Sequence, residues 1–184
     1  MATQTTAAEL VAALYRTEGK AEIVGGEIVL MSPAGGLHNR SAMAIYRSLW
    51  EYERRTKRGW AYADNAGFLV DLPHRKSFSP DAAFYAGQPP GPSFLQGAPV
   101  FAVEVRSRDE YGPAAEKGMA TKRAEYFAAC TQVVWDVDVL REGLIRVYCA
   151  SAPEEPRVYG RSKVADAEPA LPGWTFPVDD LFED

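Results

Sequence analysis

Cysteine is nearly absent. Cys130 and Cys149 are the only two in 184 residues, and no CxxC pair occurs. That excludes a disulfide framework and a thiolate metal cluster, and it leaves reduced, buried thiols as the expected state. Histidine is as scarce, with His38 and His74 alone. No long apolar run exists that could form a membrane helix. The longest uncharged stretch, residues 82–103, is broken by Pro89, Pro90, Pro92 and Pro99 and by Gly87, Gly91 and Gly97. Residues 1–10 (MATQTTAAEL) lack the basic and apolar regions of a secretory leader, so a cytoplasmic protein with no membrane partner is expected. No glycine-rich phosphate loop of the nucleotide-binding type appears. There is also no overall excess of basic charge. Lys and Arg number 20 against 25 Asp and Glu, a net charge of −5. This argues against a protein that coats nucleic acid or anionic membrane indiscriminately.

What is present is a globular composition, 47% hydrophobic and 24% charged. It is enough for one core without staples, and no linker or internal repeat divides the chain, so residues 1–184 are expected to form a single domain. Charge is distributed unevenly. Residues 164–184 carry Asp166, Glu168, Asp179, Asp180, Glu183 and Asp184 with no Lys or Arg, which leaves the remainder at +1. Residues 37–58 hold Arg40, Arg47, Arg54, Arg55, Lys57 and Arg58 against Glu51 and Glu53. An acidic protein of this kind can still present a basic face, although a solvated helix face explains the cluster equally well.

Hydrophobic periodicity gives the elements. Residues 5–17 read as a short helix capped by Thr5 or Thr6. Residues 22–31 read as a hairpin turning at Gly25-Gly26. A long helix over residues 37–56 carries Ala42, Ile45, Tyr46, Leu49 and Trp50 as its apolar stripe, with Tyr52 at the margin. Residues 60–64 and 67–72 look like two strands joined by Asn65-Ala66, and residues 81–85 like a third. A Pro/Gly loop covers 88–98, and residues 100–105 (VFAVEV) form the most strand-like run. A helix over 113–129 opens on Pro113. Strands follow at 133–139, 144–150 and 157–160, and the tail is expected to pack back through Trp174, Phe176 and Phe182. This order predicts an α/β fold with a mixed sheet flanked by helices.

Three features carry chemistry. Glu104 stands inside VFAVEV, where a carboxylate is costly unless it is paired, protonated or bound to a cation. Arg106, two residues on, shares its face, so a Glu104–Arg106 ion pair is the plain structural explanation. Asp81 opens a short apolar strand directly after Pro80. Lys122 lies in the following helix. Taken singly, these are a strand-end ion pair, a turn and a solvated lysine. Taken together, two strand-borne carboxylates offer hard oxygen ligands to a divalent cation, magnesium or manganese, and a nearby lysine orients the attacking water or offsets charge at the phosphorus. His38 opens the long helix, where an anion would dock, and serves either as a phosphate contact or proton-transfer group or as an ordinary surface histidine. Arg75 and Lys76, just before Asp81, are candidate DNA contacts. His74 in the same loop is expected to be exposed.

The ordered set of short motifs resembles the Uma family of restriction endonucleases, within the PD-(D/E)xK nuclease superfamily. The residues that carry the resemblance are Glu27, Met31-Ser-Pro33 and His38, then Ser79-Pro-Asp-Ala-Ala83. They continue with Val103-Glu-Val-Arg-Ser107, Lys122 with Tyr126, Val134-Trp-Asp-Val-Asp138 and Leu171-Pro-Gly-Trp-Thr-Phe-Pro177. The likeness runs in order from about residue 20 to 182. It implies a restriction-endonuclease-like fold with an α-β-β-β-α-β core, here preceded by the N-terminal helix and hairpin. It also implies Asp81 and Glu104 as metal ligands, with the carbonyl of Val105 as a third. The superfamily lysine usually stands two residues after the second acid, where this chain has Arg106. Arginine does not give up its proton, so Arg106 can only clamp a phosphate or orient Glu104. The resemblance gives the lysine's role to Lys122.

The expected function is therefore magnesium-dependent endonucleolytic hydrolysis of DNA, in a homodimer if both strands are cut. The alternative is a catalytically inactive DNA-binding or protein-interaction module that keeps the nuclease fold.

Overall fold

The computed structural model describes residues 5–182. Helix α1 (Ala7–Leu14) is capped by Thr6, whose hydroxyl accepts from the Glu9 amide while the Glu9 carboxylate accepts from the Thr6 amide. Strands β1 (Ala21–Val24) and β2 (Glu27–Leu30) form the expected hairpin, and Gly25 and Gly26 both take positive φ at its turn. Helix α2 (Gly36–Thr56) buries His38, Ser41, Ala42, Ile45, Leu49 and Tyr52. Tyr52 thus belongs to the buried stripe, and Trp50, expected on it, is 43% exposed. Positions 38, 42, 45, 49 and 52 hold the i, i+3, i+4 spacing, which Trp50 breaks by one residue.

Beyond α2 the chain forms β3 (Trp60–Ala63), β4 (Phe68–Leu69), β5 (Ser77–Phe78), β6 (Ala82–Tyr85), β7 (Leu95–Gln96) and β8 (Phe101–Val105). Helix α3 (Pro113–Ala128) leads to β9 (Val133–Asp138), β10 (Leu144–Cys149), β11 (Ala152–Tyr159), β12 (Val164–Asp166) and β13 (Thr175–Pro177), and a 3-10 turn closes at Val178–Phe182. The main sheet has the order β11-β10-β9-β8-β6-β3. Within this sheet, among the described residues, only β8 and β9 pair in parallel, joined by the α3 crossover, so the sheet is mixed. In chain order α2, β3, β6, β8, α3 and β9 make the α-β-β-β-α-β core.

Further expectations are corrected. β3 does not pair with the strand after Asn65-Ala66. It pairs with β6, while β4 joins β5 and β7 in a separate three-stranded sheet. β7 lies inside the expected Pro/Gly loop. β11 starts five residues earlier than expected, because Pro153 and Pro156 masked it. Both are tolerated on an edge strand, where a missing N–H leaves no central ladder bond broken. The thiols are unpaired, but Cys130 is exposed rather than buried.

The sheet is covered on both faces, and strand alternation decides which residue meets which cover. Phe101, Val103 and Val105 face α2 and the C-terminal segment, packing with Ile45, Leu49, Trp135, Trp174 and Phe176. Ala102 and Val134 face the other way, toward Tyr126 of α3 and toward Phe68 and Phe78 of the small sheet. Glu104 has the same parity as Ala102. A carboxylate on that face meets α3, and α3 buries only Tyr126 among its side chains. The helix is held to the sheet by polar groups more than by an apolar stripe.

Candidate active site

The site gathers at one end of the main sheet, where β6 begins and β8 ends. Asp81 immediately precedes β6 and is 5% exposed. Its backbone amide donates to the Val103 carbonyl, and its Oδ2 accepts from the Val105 amide at 2.7 Å. The Asp81 carboxylate therefore sits against the peptide that follows Glu104. Its Oδ1 accepts from Lys20 Nζ at 2.6 Å and lies 3.3 Å from His38 Nε2. Lys20 Nζ also contacts Asp64 Oδ1 at 2.6 Å.

Glu104 lies on the α3 side. Its Oε2 accepts from Lys122 Nζ at 2.8 Å and its Oε1 from the Tyr126 hydroxyl at 2.7 Å. Lys122 and Tyr126 are one helical turn apart, so both reach the same carboxylate. Lys122 Nζ also lies 3.1 Å from Glu22 Oε1 on β1. Glu22 is 2% exposed, accepts from the Ser79 amide at 2.8 Å and is clamped by Arg75 Nη1. Arg75 in turn donates to Glu125 Oε2 at 2.6 Å and stacks over Phe78.

These contacts set the charges. Burial would raise the Asp81 carboxyl, but His38 and Lys20 outweigh it and hold Asp81 well below the usual carboxylate range. Burial raises Glu104 despite Lys122, and the neighbouring charges of Asp81 and Glu22 push it further up. Burial would lower both lysines and His38. Instead Lys122 is raised by Glu104 and Glu22, Lys20 by Asp81 and Glu104, and His38 by Asp81. Both lysines are thus held as ammonium ions.

Asp81, Glu104, Val105, Lys122 and His38, all singled out from the sequence, come together here. Arg106 does not join them. Its guanidinium donates to both Asp136 oxygens at 2.7 Å and clamps Glu116, and the residue is 4% exposed. The expected Glu104–Arg106 ion pair is absent among the described residues, and so is an Arg106 free to grip a phosphate. Arg75 is likewise no surface contact, since it is 6% exposed and spans Glu22 and Glu125. Lys76 pairs with Asp71 at 2.6 Å, and His74 is exposed beside Glu125.

The sequence reading missed Lys20, Glu22 and Asp64. Glu22 carried the same signal as Glu104, a carboxylate among Ala21, Ile23 and Val24 in a short strand. Lys20 carried none, since its role arises only when the hairpin folds over the start of β6.

The donor chemistry was tested for a divalent cation. Asp81 and Glu104 offer oxygen ligands only, and the mutual repulsion that raises Glu104 is what a cation would relieve. Among the described residues no three His, Cys, Asp or Glu side chains are grouped as a metal cage. Magnesium does not require one, because it is commonly held by one or two carboxylates plus waters and phosphate oxygens. The residues fit such an ion.

A mixed sheet with this core and two acids at its rim defines the restriction-endonuclease-like class of fold. A crystal structure described as a putative nuclease belonging to DUF820, from Anabaena variabilis, superposes with a TM-score of 0.72 over 94% of this chain and 97% of that one, at 15% identity. The family model Uma2, described as "putative restriction endonuclease", matches residues 8–179, and the chain belongs to that family. No curated protein matches the chain. Among the described residues no helix is long and apolar enough to cross a membrane.

Proposed function

We propose that the protein is a divalent-metal-dependent endonuclease that hydrolyses DNA phosphodiester bonds. The observation that carries this reading is the junction of Asp81 with β8. The Val105 amide donates to Asp81 Oδ2, and this draws an acid from one strand start against the peptide next to the acid of another. The Asp81 and Glu104 carboxylates and the Val105 carbonyl would hold magnesium or manganese. A bound cation there supplies a water of lowered pKa and Lewis-acid polarisation of the phosphate.

The chain's own side chains do the rest. Lys122 fixes the Glu104 carboxylate and offsets negative charge as water bonds to phosphorus and the opposite P–O bond breaks. Tyr126 holds the other Glu104 oxygen. Lys20 and His38 fix Asp81 and place two further proton donors on the same side. Arg106 is a positioning residue that ties α3 to β9 through Asp136 and Glu116. Cutting both strands of a duplex requires two such sites, which a homodimer supplies.

The test is nicking of supercoiled plasmid with magnesium or manganese. Asp81→Asn and Glu104→Gln are each expected to lower the rate at least about a hundredfold while the thermal transition survives. If both variants nick at the parent's rate, the reading fails.

One observation favours the rival, a binding module without catalysis. The oxygens of both acids already have ammonium, imidazole, hydroxyl or amide partners, so their charge is balanced by the protein itself. On that reading the parent binds DNA and never nicks it at any metal concentration.

A further inference from the structure

The outer face of α2 has no part in the site described above. Its buried stripe turns inward, and the opposite side is exposed at Met43, Arg47, Trp50, Glu51, Arg54 and Arg55. Lys57, the left-handed cap residue, and Arg58 continue the exposed run. Among the described residues no carboxylate lies within 4.0 Å of Arg47, Arg54 or Arg58 in an ion pair. Glu51 is the exposed acid of this stretch. Glu53 is turned toward β3 and accepts from the Ala61 amide at 2.6 Å. A helix C-terminus favours cations in its last turn, which accounts for Arg54 and Arg55. It does not account for Arg47, two turns earlier, or for Arg58, past the helix end.

We propose that this face is a docking track for the phosphate backbone of a nucleic-acid duplex, laid along the outer side of α2. The inference rests on the endonuclease reading for its choice of duplex. Two observations support it. Arg47 and Arg54 are seven residues apart, so they lie about 20° from each other around the axis and about 10 Å apart along it. The charge is also local, in a protein whose net charge is −5. An acidic molecule that collects uncompensated arginines on one helix face presents that face to an anion.

A second copy of this chain fits the same face poorly. Two such helices would set arginine against arginine, with only Glu51 to answer them, and like charges brought together oppose association. Exposed Met43 and Trp50 lie at one margin of the track and add apolar contact at its rim.

The experiment measures binding in EDTA, where no cleavage can occur, so it is independent of the nuclease reading. A fluorescent duplex is titrated by anisotropy at several KCl concentrations. The variants are Arg47→Gln/Arg54→Gln/Arg58→Gln, its lysine counterpart, and Lys163→Gln as a charge control on the exposed turn before β12. The parent is expected to bind with a steep salt dependence. The glutamine triple is expected to lose at least about tenfold in affinity near 100 mM salt, with the slope of log K against log[KCl] reduced by about 2.7, or 0.9 for each phosphate contact. The lysine triple keeps the parent's slope, and Lys163→Gln changes it by less than about 1.

All four side chains are exposed, and matching circular dichroism melts confirm that the fold is kept. A parent that does not bind duplex, or a glutamine triple with an unchanged slope, overturns the proposal. So does loss of binding to phosphatidylserine vesicles by the triple with no change toward DNA. Arginine-dependent binding without metal-dependent nicking would sustain the track and sink the nuclease reading. Nicking by a protein whose DNA affinity ignores the three arginines would do the reverse.

Discussion

At Asp81 an ammonium, an imidazole and a backbone amide reach one buried carboxylate. Its pair with His38 makes a pH window. His38 is raised above its ordinary 6.5, so the charged pair contributes fully below 6.5 and fades as pH rises through the raised value. Asp81 is lowered below 3.8, so its contribution is present above 3.8 and fades as pH falls through the lowered value. The pair is at full strength between 3.8 and 6.5. Proton NMR of the His38 Cε1 resonance in metal-free protein should give a midpoint above 6.5 in the parent. In Asp81→Asn the midpoint should fall to 6.5 or below, because burial then acts without its opposing charge. Equal midpoints in the two proteins would mean that the imidazole does not sense Asp81.

Among the elements, β3 approaches β6 closely at a single residue. Gly59 leads into β3, and a Cβ there would lie 2.7 Å from Phe84 Cε1 and closer still to the Tyr85 carbonyl oxygen. Gly59→Ala should therefore cost about 1–3 kcal/mol in urea denaturation, because backbone cannot yield as a flexible side chain does. Gly118 in α3 has nothing within 4 Å of the same position. Gly118→Ala should gain about 0.5–1 kcal/mol by its better helix propensity. Equal effects of the two substitutions would contradict the packing described for β3.

Elements were legible in the sequence where burial is periodic. α2 and β8 declared themselves, and so did the hairpin turn at Gly25-Gly26. The two-residue strands β5 and β7 did not, since so short a segment has no period to read, and β4 fills only two of the six residues expected as a strand at 67–72. Glu104 was legible because a charge interrupts an apolar run. Lys20 was not, because its partner Asp81 is 61 residues away and no local pattern marks the meeting. Arg75 misled for a related reason. The run His74-Arg75-Lys76 has the composition of a solvated loop, yet the small sheet carries the middle residue inward to Glu22 and Glu125.

On the scale of the whole molecule, the fold keeps two polar systems apart on the α3 side. Glu22, Glu104, Lys122 and Tyr126 join Asp81 and Lys20 at the sheet's rim. Arg106, Asp136 and Glu116 form a separate tie between α3 and β9. A cavity of about 30 Å³ between Glu104, Arg106, Lys122 and Asp136 lies between them, room for a single water. The division leaves the rim intact although Arg106 takes no part in it. The amine reaches Glu104 from α3, and the guanidinium serves as scaffold. The central claim is that Asp81 and Glu104 share one cation. Crystals soaked in manganese test it most directly. The account predicts an anomalous peak within about 2.5 Å of an oxygen from each carboxylate, in the range of oxygen-ligated divalent ions. A soak in which the two acids keep only their lysine partners, with no peak between them, would contradict it.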